Sequence, residues 1–300
     1  MRTLLVIVGP TGVGKTEVSL QVAEHLRCPI VNADSRQVYR EIPIGTAAPT
    51  VQERQRVRHY FVGSKSVRDD YNAGQYERDV LRLLEHLFAQ HGTVVLTGGS
   101  MLYVDAVCKG LDDIPTVDRQ VRDVVRRMYE ENGLPWLQAE VERVDPAYWA
   151  EVDRQNPQRL LHCVEVCRQT GGTLSEYRKH TVCERPFRVV KIGLTRPREE
   201  LYARINRRVE EMMRSGLLEE ARALYPYRQC NALQTVGYRE LFAYIDGEYD
   251  LPRAVALIQQ NSRHYAKRQL TWFRRDETIE WIDLSEQSVA RAVEIIDTKL

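Results

Sequence analysis

The sequence predicts an α/β fold, in which helices flank a parallel sheet and an all-helical segment interrupts the sheet domain. Short apolar runs of the length expected of buried strands recur along the chain, at residues 4–8, 29–33, 93–96, 187–194 and 279–283. A glycine-rich turn follows the first run and leads into a helical pattern, which indicates a phosphate-binding loop. Helical patterns alone occupy residues 115–183. We therefore predict a phosphate-loop core at residues 1–114 and 184–300 with a helical insertion between its two parts.

The glycine-rich turn after the first strand is the most informative stretch of the chain. Its glycines let the backbone curl so that successive N–H groups can point at an anion, and the following helix adds unpaired N–H groups and a positive dipole end. Lys15 adds a full charge, and the hydroxyl of Thr16 suits Mg²⁺. The pattern is typical of nucleotide-binding and ATP-binding proteins, although it indicates only that a di- or triphosphate binds. The predicted phosphate-binding residues are Gly9, Pro10, Thr11, Gly12, Val13, Gly14, Lys15 and Thr16.

The second strand leads into Asp34. Ligands of open parallel sheets bind beyond the carboxyl ends of the strands, so Asp34 should lie near the group that the phosphate loop holds. An aspartate at a strand end can equally cap a turn or a helix. Both roles stay open from the sequence.

The third strand is informative because of the residues that follow it. Residues 41–76 lack a regular pattern and are expected to form a lid or a substrate-facing excursion, and residues 77–90 show the pattern of an amphipathic helix. The third strand then ends in Thr-Gly-Gly-Ser at residues 97–100. A phosphate-loop hydrolase usually has an aspartate there, which holds Mg²⁺ while a γ-phosphate is attacked. Its absence argues against an ATPase or a GTPase.

The insertion and the C-terminal part have their own signals. Within residues 115–183 the pairs Asp-Pro at 145–146 and Asn-Pro at 156–157 mark helix starts, and a glycine and a proline at 133 and 135 break a charged helix. After the fourth strand, Arg204, Arg207 and Arg208 are expected on one helical face, either solvated or closing over phosphates. A long basic helix is predicted at residues 251–275.

The overall composition narrows the class of protein. The chain has 300 residues, of which 43% are hydrophobic, so it can form a substantial core. No apolar run approaches the roughly 18 residues of a membrane helix, and we expect no signal peptide because the first strand begins almost at once. Six scattered cysteines without a CxxC pair suggest a reduced, cytoplasmic protein. Cys163 and Cys167 lie one helical turn apart, which favours packing over metal binding.

These motifs together resemble the bacterial-type tRNA dimethylallyltransferase family, also called tRNA isopentenyltransferases. Ser100 stands where the family usually has threonine, and His264 stands where it usually has arginine. The matching stretches span almost the whole chain in the family's order, at residues 9–16, 34–39, 44–47, 98–103, 156–159, 236–241 and 263–274.

The resemblance implies a reaction. The family transfers a dimethylallyl group from dimethylallyl diphosphate to N6 of adenine 37 in tRNAs that read codons beginning with U. The phosphate loop would hold the donor's diphosphate, which accounts for the missing acid on the third strand. Asp34 would accept a proton from the amino group, and Ser100 would orient Asp34 or the base. Lys15, Arg207 and Mg²⁺ on Thr16 would stabilise the leaving diphosphate.

The resemblance also implies a partner, the tRNA anticodon stem-loop, gripped by the insertion and the basic helix. We expect the protein to act as a monomer, because a tRNA already provides a large partner surface. Adenine 37 would have to leave its stack to react. The residues expected to contact tRNA are Asp34, Ser35, Arg36, Gln37, Ser100, Arg122, Gln158, Arg159, His162, Lys267 and Arg268.

Three other functions stay open. A phosphate-loop small-molecule kinase would be specific for ATP and would not need RNA. An adenylate prenyltransferase would modify AMP and would need neither the insertion nor the basic helix. A non-catalytic RNA-binding protein would leave Lys15, Thr16 and Asp34 unexplained.

Overall fold

The computed structural model describes residues 2–179 and 182–300; Met1, His180 and Thr181, which fall in the predicted core and insertion, lie outside them. Within this part of the chain one all-parallel sheet has the strand order β3-β2-β4-β1-β5-β6. The predicted α/β fold is therefore confirmed. Its strands are β1 (Thr3–Val8), β2 (Ile30–Asn32), β3 (His59–Tyr60), β4 (Thr93–Gly98), β5 (Arg188–Thr195) and β6 (Ile279–Asp283).

Helices cover both faces of the sheet and form the insertion. Two short 3-10 helices lie at Tyr225–Tyr227 and Asn231–Leu233. The α-helices of the described residues are α1 (Lys15–His25), α2 (Pro43–Thr46), α3 (Val51–Arg56), α4 (Ala73–Leu87), α5 (Met101–Lys109), α6 (Arg119–Val144), α7 (Pro146–Glu151), α8 (Pro157–Thr170), α9 (Leu174–Tyr177), α10 (Arg198–Arg214), α11 (Leu217–Leu224), α12 (Tyr238–Ile245), α13 (Leu251–Phe273) and α14 (Val289–Asp297). None of these helices is both long and apolar enough to cross a membrane.

Strand β1 is the centre of the sheet and places the phosphate loop. It pairs with β4 and β5, and every one of its residues is buried, as expected of a parallel strand covered on both faces. After β1 the chain continues to β2, which lies on one side of the central pair β1 and β4. After β4 it continues to β5, which lies on the other side of that pair. Adjacent strands with diverging connections open a crevice at their carboxyl ends. The loop after β1 and the turn after β4 line this crevice.

Residues 41–76 are more regular than predicted. They contain α2, α3, the edge strand β3 and the first residues of α4. Helix α4 begins four residues earlier than the predicted start at 77, at Ala73, because Asn72 and Gln75 form a capping box. The side chain of Asn72 accepts from the Gln75 N–H at 2.9 Å, and the side chain of Gln75 accepts from the Asn72 N–H at 3.0 Å. Each bond satisfies an N–H that the first helical turn leaves unpaired.

The insertion is a compact unit with its own apolar core. Residues Gly110–Cys183 form one unit, and Met1–Lys109 together with Glu184–Leu300 form the other, whereas the sequence placed the boundary at 115. Among its described residues this unit contains α6 to α9 and no strand. Gly133 (φ 72°, ψ −171°) interrupts α6 at the predicted break. Asp145 and Asn156 cap α7 and α8 at the predicted starts.

Candidate active site at the carboxyl ends of the strands

In the phosphate loop between β1 and α1, cationic side chains donate hydrogen bonds to the backbone carbonyls, whereas several backbone N–H groups are unpaired. Within residues 2–179 and 182–300, the N–H groups of Gly12, Gly14, Lys15 and Thr16 have no acceptor. Unpaired donors beside cationic side chains form an anion-binding arrangement. Lys15 Nζ donates to the carbonyls of Gly9 and Pro10, at 2.9 Å from each. Arg204 Nε donates to the carbonyl of Gly12 at 2.8 Å, and Arg196 Nε donates to the carbonyl of Val13 at 2.9 Å.

The loop also packs tightly against α10. Gly12 has a φ of 80°, in the left-handed region, and a Cβ there would lie 2.9 Å from the side chain of Ile205. Glycine meets both the conformational and the steric requirement. Helix α10 therefore fixes the position of the loop as well as supplying arginines to it.

Lys15, Asp34 and Arg208 are close enough to influence one another electrostatically. Removal from water lowers the pKa of Lys15 to about 7; the guanidinium of Arg208 acts in the same direction, and the carboxylate of Asp34 opposes it. Burial also lowers the pKa of Arg208, against the attraction of Asp34. Nη2 of Arg208 donates to the carbonyl of Thr46 at 3.1 Å. The structure thus gathers two cations and one carboxylate beside the loop.

The predicted diphosphate ligand Arg207 does not belong to this group. Arg207 is exposed, and no contact with the loop is found for it in the described part of the chain. Consecutive residues of a helix point about 100° apart, so Arg207 lies about 60° around the helix from Arg204 and about 100° from Arg208, the arginine beside Lys15 and Asp34. The geometry favours Arg208 over Arg207 as the arginine beside a bound anion.

Asp34 caps the turn that follows β2. Its Oδ1 accepts from the N–H groups of Arg36 at 2.9 Å and Gln37 at 3.3 Å, which is the capping role that the sequence left open. No partner for Oδ2 is found among the described residues. One oxygen of Asp34 therefore holds the turn while the other is available for chemistry, so the two roles are compatible.

Ser100 bonds to the residue after Asp34 instead of to Asp34 itself. Its Oγ accepts from the Ser35 N–H at 2.8 Å and donates to Ser35 Oγ at 3.0 Å. Tyr265 on helix α13 lies close to Ser100; burial raises the pKa of its hydroxyl to about 12, and the interaction with Ser100 opposes that rise. Ser100 thereby connects the turn after β4 to the turn after β2, beside Tyr265 of helix α13.

The side chains of Arg36 and Gln37, predicted to contact tRNA, are used within the protein. Arg36 Nη1 donates to the carbonyl of Asn231 at 2.8 Å. Gln37 Nε2 donates to the carbonyls of Thr46 and Ala47 at 3.1 Å each. These bonds fix the segment between Asp34 and Ala47, and contact of either residue with RNA stays a prediction.

The remaining predicted tRNA contacts lie on exposed helical surfaces. Lys267 and Arg268 are exposed on α13, with the guanidinium of Arg268 5.6 Å from the ring centre of Tyr265. In the insertion the four predicted contacts on α6 and α8 are all exposed: Arg122, Gln158, Arg159 and His162.

A cavity of about 260 Å³ in the insertion is lined in part by Arg159, His162 and Tyr148. Desolvation, with the nearby charge of Arg122, lowers the pKa of His162. Two of the four predicted contacts in the insertion thus border one concave surface.

Two residues that hold the site were missed from the sequence. Arg196 holds the Val13 carbonyl, as described above. Gln269 is buried to 1% exposure and bonds both to the phosphate loop and to the turn after β4. A glutamine in the middle of a basic helix carries no strong signal by itself, although it falls within the family-like stretch 263–274.

Thr16 is suitably placed to hold Mg²⁺. It is exposed at the start of α1, and its hydroxyl has no hydrogen-bond partner among the described residues. Protein Mg²⁺ sites commonly use few side chains and complete the shell with phosphate oxygens and water. The loop therefore fits a Mg²⁺–diphosphate.

A second group of potential ligand atoms, in the insertion, has a structural explanation. Asp145, Cys163 and Cys167 place such atoms within 4.8 Å of one another, all buried. The carboxylate of Asp145, however, already accepts hydrogen bonds from Tyr148 and Ser175. This agrees with the expectation that the two cysteines pack in the core.

Comparisons with known proteins point to one family. The family model described as IPP transferase matches residues 37–276. The chain is 57% identical over 286 residues to a tRNA dimethylallyltransferase 1 of Phocaeicola vulgatus, covering 95% of each chain. It is 55% identical over 288 residues to a tRNA dimethylallyltransferase 1 of Bacteroides thetaiotaomicron, covering 96% of this chain and 94% of the relative.

Solved structures show the same fold. The full-length tRNA isopentenylpyrophosphate transferase from Bacillus halodurans matches with a TM-score of 0.73 at 34% identity, covering 100% of this chain and 96% of that one. A eukaryotic dimethylallyltransferase acting on tRNA matches with a TM-score of 0.81 at 23% identity, covering 100% of this chain and 79% of that one. At 23% identity this second match supports the fold alone.

Proposed function

Since the chain belongs to the IPP transferase family, we propose that it transfers a dimethylallyl group from dimethylallyl diphosphate to N6 of adenine 37 in tRNAs that read codons beginning with U. The observation that carries the proposal is the phosphate loop, with unpaired N–H groups and Lys15, in a site where β4 ends without an acid. Such a site can bind a diphosphate and stabilise it as a leaving group, and it lacks the residue that a γ-phosphate hydrolase uses there.

The donor's diphosphate would lie on the N–H groups of Gly12, Gly14, Lys15 and Thr16. Lys15 and Arg208 would stabilise the negative charge that grows on it as the C–O bond to the dimethylallyl group breaks. Mg²⁺, held by the Thr16 hydroxyl and the diphosphate oxygens, would neutralise further charge on the same group.

The acceptor would approach from the side of Asp34. As the N6–carbon bond forms, N6 becomes acidic and loses a proton, and the free Oδ2 of Asp34 is the group proposed to accept it. Oδ1 would meanwhile keep the turn in place through the N–H groups of Arg36 and Gln37. Ser100 would act through Ser35, by holding the residue next to the base.

For the tRNA we propose two contact surfaces. Lys267 and Arg268 on α13 would bind phosphates near the core site. Arg122, Gln158, Arg159 and His162 on the insertion would contact the anticodon stem-loop. All six side chains are exposed and polar, which is what contact with a solvated polyanion requires.

We further propose that the enzyme is a cytoplasmic monomer. All six cysteines are free thiols, as in proteins of reducing compartments. Light scattering coupled to gel filtration tests the oligomeric state directly, and a dimeric mass would contradict it.

Acceptor choice separates the proposal from its rivals. The protein should be incubated with labelled dimethylallyl diphosphate and either tRNA or AMP, and with labelled ATP and the same acceptors. We expect label in tRNA from the prenyl donor alone, and none in tRNA whose adenine 37 is replaced by guanine. Prenylated AMP would indicate an adenylate prenyltransferase, and phosphate transfer from ATP would indicate a kinase.

A further inference from the structure

The side chain of Gln269 joins the two loops that form the site. Its Oε1 accepts from the N–H of Thr11, in the phosphate loop, at 2.9 Å. Its Nε2 donates to the carbonyl of Gly99, in the turn after β4, at 2.8 Å. The amide has one correct orientation, because an N–H needs an acceptor and a carbonyl needs a donor.

Gln269 is buried, and its amide fits only because residue 99 is a glycine. The residue is 1% exposed, and a Cβ on Gly99 would lie 2.2 Å from its Nε2. Any side chain at 99 would therefore displace the amide. Burial also means that water does not compete for either bond, so loss of the amide would leave Thr11 and Gly99 unpaired.

Helix α13 thereby reaches both halves of the site on one face. Tyr265, one helical turn before Gln269, lies close to Ser100, which is hydrogen-bonded to Ser35 beside Asp34. Gln269 itself contacts the loop proposed to hold the donor. Lys267 and Arg268, between these two residues in sequence, are exposed on the same helix.

We propose that Gln269 is a positioning residue, whose amide holds the phosphate loop in register with the Gly99–Ser100 turn and so aligns the donor carbon with the acceptor nitrogen. This rests on the proposed function. Gln269 does not touch the reacting atoms; it sets the distance between two loops that do. Misplacement of reacting groups by about 1 Å lowers rates roughly a hundredfold.

The first test replaces Gln269 by alanine. We expect kcat to fall roughly tenfold to a hundredfold, while the affinity for tRNA is unchanged and the affinity for dimethylallyl diphosphate changes less than about threefold. Gln259→Ala is the matched control, because Gln259 lies on the same helix and its Nε2 donates to the carbonyl of Asn206, in α10, at 3.3 Å, instead of to either loop. The control should keep the parent kcat. A Gln269→Ala protein with the parent kcat per folded molecule would overturn the proposal.

The second test, Gln269→Glu, keeps the shape and makes the bridge depend on protonation. A carboxylate can accept from Thr11 but cannot donate to Gly99, whereas a carboxylic acid can do both. Burial raises the pKa of a carboxyl group, so the deficit in kcat relative to the parent should shrink as the pH is lowered from about 8.5 to about 6. A deficit that is the same at every pH would contradict the bridging role.

The parent enzyme separates this inference from the proposed function. If the parent transfers the dimethylallyl group to tRNA and the two Gln269 variants match it, the positioning role alone fails. If the parent transfers nothing to tRNA, the proposed function fails first.

Discussion

Lys15 shows how burial tunes the pKa of the residue proposed to contact the donor. Its pKa, lowered to about 7 by desolvation and by Arg208, means that the free protein carries this charge fully only at low pH. A bound diphosphate stabilises the charged amine and raises its pKa again. Binding should therefore take up a proton wherever the pH lies above the pKa of the free protein and below that of the complex.

We predict that affinity for dimethylallyl diphosphate is greatest near pH 7. Above it, affinity should fall by up to about tenfold per pH unit as Lys15 loses its proton in the free protein. Below about pH 6, protonation of the diphosphate itself weakens binding. Calorimetry in buffers of different ionisation enthalpy would measure the proton uptake at pH 8. Lys15→Met should bind more weakly and lose both the uptake and the fall above pH 7; an unaltered pH profile in this variant would contradict the assignment.

Asp34 caps a turn and is also the proposed base, and a pair of substitutions can separate these two roles. Asp34→Asn keeps an oxygen that can accept from Arg36 and Gln37, whereas Asp34→Ala loses the cap as well. If Asp34 is the base, both variants should lose roughly a hundred- to ten-thousand-fold in kcat, with a much smaller change in donor affinity. Single-turnover kinetics with saturating tRNA measure this. An Asp34→Asn rate within about threefold of the parent would leave Asp34 with the capping role only.

Lys15, Arg208 and Gln269 differ in how far the local sequence predicts their roles. The phosphate loop was predictable because its residues are contiguous and each has a local reason to be there. Choosing between Arg207 and Arg208 required knowing which face of α10 meets the loop. Gln269 could not be recognised, because its partners Thr11 and Gly99 lie more than 160 positions away along the chain and meet it only when the sheet has formed.

At the scale of elements, local signals predicted most strands and helix starts. The cap at Asp145 and the cap at Asn156 act on the next few residues, so the sequence shows them directly. Helix α2 was missed because its support is distant: the carboxylate of Glu220 accepts from the N–H groups of Ile44 at 3.0 Å and Gly45 at 2.9 Å. A four-residue helix without such support would not persist in water.

Lys267 and Arg268 on helix α13 should contribute to tRNA affinity. Replacing Lys267 and Arg268 together by alanine should flatten the slope of log affinity against log salt by roughly one to two units, because each phosphate contact releases counterions. The rate at saturating tRNA should change little. Filter binding at several salt concentrations measures the slope.

A double variant with the same loss of charge provides the control. Arg291 and Lys299 are paired with Glu294 and Glu280 near the C-terminus, and their replacement should leave the slope nearly unchanged. If instead the α13 variant keeps its slope and loses stability, Lys267 and Arg268 support the fold, and the main tRNA surface lies elsewhere.

For the whole molecule, the division into two compact units has a consequence for stability. Each unit has its own buried apolar cluster, with Leu5, Ile7 and Ile192 in the sheet unit and Val125, Leu137 and Val164 in the insertion. Separate cores allow separate opening reactions, because a local unfolding event then exposes only one cluster. The sheet unit holds the phosphate loop, whereas the insertion holds four of the predicted tRNA contacts.

Asp145 is the residue whose loss should open the insertion selectively. It is fully buried and accepts from the Tyr148 N–H at 3.0 Å, the Ser175 N–H at 2.8 Å and the Ser175 hydroxyl at 2.7 Å. Asp145→Ala leaves these donors unpaired and removes the cap of α7, at a combined cost of about 2–4 kcal/mol. Hydrogen exchange should therefore speed up across residues 110–179 while β1, β4 and β5 keep their protection. Binding of dimethylallyl diphosphate should persist and transfer to tRNA should fall.

Asp153→Ala is the control: it removes an exposed turn bond to the Gln155 N–H and should lower the free energy of unfolding by less than about 1 kcal/mol. Equal loss of protection in the sheet strands would show instead that both units unfold as one, and would make the insertion part of a single cooperative fold.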